Sequence, residues 1–275
     1  MADVLPFAGT RFNTKEQDLN IADILAPPFD VITPELQREL HERDPHNMVR
    51  LTCGFEAPGD DEFNNRFLRA SETYREWKTE NILTDEQRKC FYVYEHEFTL
   101  PGHKKKFVRR GFFGLVKLQD FRSGKIRAHE MTYLAPKQDR LRLLKATQVN
   151  LEPLLVLHKD EDGAITEILK ETVKAKPQEV IEGPGKEIHR LWPIHRKDPI
   201  LSINQAMKPR RLFIGDGHHR YEAALQYRDE MREMTGRRDG RQPYDFIMMD
   251  LLAAEDDTLL SCANHRVLDR DLDHD

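Results

Sequence analysis

Cysteine is scarce in this sequence: the 275 residues hold three, Cys53, Cys90 and Cys262, far apart and without a CxxC pair. A sparse, odd set argues against a disulfide framework and against a cysteine-built zinc site. It reads as reduced thiols of a cytoplasmic protein. Long apolar runs are missing as well. Stretches such as "LLVL" at Leu154 are far too short to span a bilayer, and the mean hydropathy is −0.71, so no membrane partner is expected. The opening "MADVLPFAG" carries Asp3 and no basic segment, so no signal peptide is expected. A basic footprint is also absent. With 43 basic against 48 acidic residues the net charge is −5, which argues against a nucleic-acid partner. The basic block "GHKKKFVRR" (Gly102 to Arg110) reads as a solvated hairpin tip running into a strand. No internal repeat, low-complexity linker, GxxxxGK[ST] loop or HExxH helix is present.

What the chain does have is 39% hydrophobic and 33% charged residues, enough for a substantial core. "TPELQRELHERDP" predicts a helix with Thr33 as N-cap, Pro34 at its first position and Asp44-Pro45 as its stop. "NMVRLTC" reads as a strand. Phe63, Phe67, Ala70, Tyr74 and Trp77 recur every three or four residues and predict a helix over 61–80 with one apolar face. "CFYVYEHEFTL" and "FVRRGFFGLVKLQ" read as a hairpin, and "EVIEGPGKEIHRLWPI" as a second one. "KQDRLRLLKATQ", "ITEILKETVKA" and "DPILSINQAM" read as helices, the last capped by Asp198. "EPLLVLHK", "YDFIMMDLLA" and "TLLSCANHRVL" read as strands. Hairpins and helices without regular strand–helix alternation predict an α+β fold, a mixed α/β sheet with packing helices in a single domain over 1–275.

The chemistry concentrates in "RRLFIGDGHHRYEAALQYRDEM". A strand enters a turn, Gly215-Asp216-Gly217, whose glycines accept backbone angles other residues resist, and a helix follows. Its first N–H groups and dipole make an anion site, to which Arg220 adds a guanidinium. Basic residues at that helix end are poor dipole partners, so His219 and Arg220 call for an anionic ligand. Asp216 fits beside a phosphate if it holds Mg²⁺ or takes a proton. The bland alternative makes Asp216 an N-cap and the histidines solvent-facing. A second cluster, "RAHEMTYLAPKQDRLRLL", offers His129, Glu130, Thr132 and Arg140. His129 and Glu130 reach one point only if they lie in a loop, since neighbours on a strand face apart. "APPFDVITPE" presents Asp30 on a stiff Pro27-Pro28 segment, and His-Arg pairs recur at His189 and His265.

These segments occur in an order that identifies the chain as a member of the domain-of-unknown-function family ten-fifteen. They are "APPFDVITPE", "NMVRL", "RAHEMTYLAPKQDRLRLLKAT", "HRLW" and "FIGDGHHRYEAAL". The resemblance runs from "LPFAGTRFN" to "NHRVL". The family more often has alanine at Gly215 and proline-threonine at Ala263-Asn264, and its members are longer, which implies a further C-terminal part. The Asp-Gly-His-His-Arg stretch also resembles the ParB/sulfiredoxin superfamily, including its free serine kinases. That resemblance implies a nucleotide-binding core around the turn, with phosphate on the helix N-terminus. The expectation is an ATP- or ADP-dependent phosphotransferase acting on a small hydroxyl-bearing metabolite such as serine. His218, Asp216, Glu130 and Asp30 would be catalytic, with Asp216 on Mg²⁺. Gly215, Gly217, His219, Arg220, His129 and Arg140 would bind the cofactor. The alternatives are a ParB-like nucleotide-binding module without chemistry and a metal-dependent hydrolase built on His129, Glu130, His218 and His219.

Overall fold

A computed structural model describes residues 3–14, 16–100, 102, 104–183 and 185–259. In chain order the elements are β1 (Val4–Leu5), β2 (Thr10–Phe12), α1 (Ile21–Ile24), α2 (Pro34–Arg43), α3 (Val49–Thr52) and α4 (Arg66–Thr79). Then come β3 (Leu83–Asp85), β4 (Phe91–Thr99), β5 (Lys106–Lys117), β6 (Ile126–Arg127), α5 (Leu134–Thr147), β7 (Leu154–His158) and α6 (Ala164–Thr172). The last group is β8 (Glu179–Glu182), β9 (Ile188–Ile194), α7 (Lys197–Met207), β10 (Leu212–Asp216), α8 (His218–Thr235) and β11 (Phe246–Ala253).

Nine strands form one mixed sheet in the order β6-β10-β7-β11-β5-β4-β9-β8, with β1 paired to β5. The pairs β10–β6 and β11–β7 are parallel, and the remaining pairs are antiparallel. Alternation along the strands divides the two faces. Phe91, Val93, Phe112, Val156, Ile214 and Met249 belong to one buried cluster, which also takes in Ile165, Ile203 and Tyr221 from α6, α7 and α8. The opposite face carries Tyr92, Phe113, Leu115 and Met248, which border a 420 Å³ cavity roofed partly by Phe7 and Phe12. The mixed sheet with eight α-helices among the described residues is the α+β architecture expected. Among those residues, no helix is long and apolar enough to cross a membrane.

Several local expectations shift. "NMVRLTC" is not a strand: Val49–Thr52 form one helical turn, with Asn47 Oδ1 accepting from Val49 N at 2.9 Å. α4 starts at Arg66, because Asn65 caps Phe67 and Leu68, and Phe63 lies outside it, 82% exposed. α5 starts at Leu134 rather than Lys137, so Asp139 and Arg140 sit inside it. Pro136 falls in its first turn, where no N–H is needed. Asp198 lies in the first turn of α7, whose N-cap is Arg196. The final expected strand, with Cys262 and His265, falls mostly outside the described residues.

Candidate functional site

β10 brings the site to the edge of the core. Leu212 and Ile214 are buried, and the pairing with β7 shifts register between Ile214 and Asp216. Gly217 then turns the chain at φ +95°, where a Cβ would lie 2.9 Å from Leu154 Cγ, so glycine is required on both counts. Gly217 is itself the N-cap, and no side chain caps α8. Tyr221 N makes the first helical bond, to Gly217 O at 2.9 Å. The N–H groups of His218, His219 and Arg220 precede it and open at the helix mouth. Asp216 is the last residue of β10 and Gly215 a strand residue packed against Leu155.

The two histidines hold a loop. Residues 128–133 connect β6 to α5 without regular structure, which frees His129 and Glu130 from strand alternation. His129 N donates to His218 Nε2 at 3.3 Å, and Tyr133 N donates to His219 Nε2 at 3.0 Å. Thr132 Oγ1 donates to Glu222 Oε2 at 2.7 Å, one helical turn further along. The His129 ring is fixed by Ile214 O, 2.8 Å from Nδ1, and stands perpendicular to His218 with centroids 4.5 Å apart. Neighbouring residues on a helix point apart, and here they divide the loop: His218 takes its near end and His219 its far end. His218 is 3% exposed, and burial together with His129 lowers its pKa, so it is a neutral imidazole. Because Nε2 accepts, Nδ1 carries the proton and lies 3.7 Å from Glu130 Oε2. Glu130 is 51% exposed. His129, Glu130 and His218 bring their ligand atoms within 4.8 Å of one another. Asp216 is not in that group.

The other flank belongs to the arginines. Arg220 donates from Nη2 to Asp216 Oδ2 at 2.7 Å and from Nη1 to Pro153 O at 2.6 Å. Arg140 is buried, donates to Thr52 O at 3.0 Å and pairs with Asp139. It also lies 3.7 Å from Glu152 and covers the ring of Phe29 at 3.8 Å. That stacking brings Asp30, next along the chain and exposed, to the same flank. Arg140, Arg220 and Glu152 line one 50 Å³ crevice with Leu154 and Ala223. Burial raises the Glu152 pKa, against the lowering pull of Arg220 and Arg140. The expected site residues thus gather around the start of α8 in two groups, histidines with Glu130 and arginines with Asp216, Glu152 and Asp30. His189 does not join them: its Nδ1 lies 2.7 Å from Tyr94 Oη on the sheet.

The sequence profile of the family described as "Protein of unknown function (DUF1015)" matches residues 4–275. The chain belongs to that family. No curated protein and no solved structure matches it. In this DUF1015 chain two acidic residues escaped the sequence reading. Glu152 is a lone acid in "NLEPLL", and only the packing of α5 and α8 places it between two arginines. Asp250 sits inside an apolar strand, and that placement was the signal available: an ionisable group among "FIMM" and "LLA" is costly to bury.

Proposed function

We propose that this DUF1015 protein is a nucleotide-dependent phosphotransferase, using ATP or ADP with Mg²⁺ on a small hydroxyl-bearing metabolite such as serine. The observation that carries this reading is the mouth of α8, which has no side-chain cap and opens behind a glycine between a carboxylate–imidazole pair and an arginine–carboxylate pair. Its N–H groups suit phosphate oxygens. Arg220 has five N–H donors and gives one each to Asp216 and Pro153, leaving others for an anion. Asp216, 58% exposed, is an oxygen donor of the kind Mg²⁺ takes, whereas the imidazoles are not. When bound, Mg²⁺ would neutralise charge on the nucleotide phosphates. Glu130 takes the proton of the substrate hydroxyl, whose oxygen attacks the terminal phosphorus as the bond to the departing nucleotide breaks. His218 positions Glu130 and the loop that carries it. Asp30 and Arg140 define the far wall through Phe29. The resemblance of the Asp-Gly-His-His-Arg stretch to ParB/sulfiredoxin proteins supports the same placement of phosphate.

The test is a nucleotide panel. ATP or ADP with Mg²⁺ raises the melting temperature by mass action, Arg220→Ala removes the rise, and serine or a related alcohol yields a phosphorylated product by mass spectrometry. No shift with any nucleotide would overturn the reading. A shift without product from any alcohol points to a nucleotide-binding module.

A further inference from the structure

We propose that His129, Glu130 and His218 form a site for one divalent transition-metal ion of the zinc or manganese type at the mouth of α8. Three ligands held about 2.0–2.2 Å from one ion lie at most about 4.4 Å apart. The ligand atoms here already lie within 4.8 Å of one another, so small rotations close the site. Two imidazoles and one carboxylate suit zinc, manganese, iron or cobalt, whereas magnesium and calcium take oxygen. His129 is already oriented for the task. Its Nδ1 donates to Ile214 O at 2.8 Å, which leaves the lone pair on Nε2. A backbone carbonyl behind a histidine is the usual outer support of a metal-bound imidazole. His218 is anchored in the first turn of a long helix and shielded from solvent. Exposed Glu130 gives the ion a path in and leaves coordination positions open to water or to an oxygen of a substrate.

Loading the ion has a structural consequence. An ion on His218 Nδ1 moves the ring proton to Nε2, which then stops accepting from His129 N, the 3.3 Å bond. The Tyr133–His219 and Thr132–Glu222 bonds stay and keep the loop in place. This site stands without the phosphotransferase reading: an ion held by Glu130 takes up the carboxylate that reading uses as base, so the metal-loaded and phosphotransferase forms are separate states, and the site differs from the Mg²⁺ position at Asp216.

The experiment uses the full chain, free of any histidine tag and stripped by a chelator, titrated with Zn²⁺ or Mn²⁺ alone by calorimetry. Metal content after dialysis is measured by elemental analysis. The expected result is one equivalent, weakened at least about 10-fold by each of His129→Gln, Glu130→Gln and His218→Gln and unchanged by Asp216→Asn. Glutamine at 218 can still accept from His129 N, and melting temperatures confirm that the variants fold. Amide exchange adds a second readout: zinc speeds exchange at His129 and leaves Tyr133 protected. Uptake below one equivalent, or equal uptake by the wild type and the three variants, overturns the proposal. Nucleotide takes no part, so a failed nucleotide shift and a failed metal titration are separate outcomes.

Discussion

Asp216 and Asp250 occupy the same row of the sheet, each paired with Leu155, on strands β10 and β11 either side of β7. Two strand spacings separate them, about 10 Å. Asp216 ends its strand at the helix mouth, more than half exposed and paired with Arg220. Asp250 lies mid-strand, 6% exposed, with Oδ1 buried and unpartnered among the described residues. Gly111 makes room for it: a Cβ there would meet Asp250 Oδ1 at 2.7 Å. The difference teaches how position along a strand, and not residue type, decides what a carboxyl can do. At the strand end, water and an arginine keep a charge affordable. In the middle, burial pushes the acid up to about 7, with Arg109 pulling weakly the other way.

The largest predicted effect breaks that contrast. Folded Asp250 has a pKa raised above the 3.8 of an ordinary aspartate, so between those values the native state holds a proton the unfolded chain has lost. Its contribution therefore favours folding below about pH 4, declines as pH rises, and levels off above about 7. Asp250→Asn removes the dependence. Relative to the variant, wild type should lose on the order of 4 kcal/mol between pH 4 and 8, read from denaturant melts across that range. Parallel stability profiles for the two proteins would sink the assignment.

Next in size is the turn that separates Asp216 from α8. Gly217→Ala places a side chain at φ +95° and against Leu154, and should cost about 1–3 kcal/mol, checked by chemical denaturation. Gly215→Ala, where the nearest contact is 3.4 Å and φ is not positive, should cost less. Equal losses would mean that the turn conformation does not single out position 217.

Much of the fold was legible where signals are local. Thr33-Pro34 caps and starts α2 as read, and the alternation in "FYVYEHEFT" and "FVRRGFFGLVK" gives the β4–β5 hairpin. "NMVRLTC" was misread because the three buried residues of its turn, Val49, Leu51 and Thr52, fall in too short a run to show a helical period, and only Asn47 marks the helical turn. The glycine turn and its helix were plain. The partners of its histidines were not, because nothing in "AHEMTY" says which backbone amides a distant ring nitrogen will accept. Glu152 was missed for the same reason, since its meaning lies in arginines on α5 and α8, whereas Asp250 did carry a local signal, an acid inside the apolar run "FIMMDLLA".

The smallest effect tests whether the histidines at the mouth act as separate staples. His219→Ala removes the acceptor for Tyr133 N and the imidazole stacked near the Tyr133 ring. Tyr133 is 71% exposed, so water replaces the lost bond and the cost should stay near 0.5–1 kcal/mol, about that of one ordinary hydrogen bond. Amide exchange should quicken at Tyr133, while His129, held by buried His218, keeps its protection. If both amides lose protection together, the loop is one cooperative unit, and the division of labour between the two rings fails.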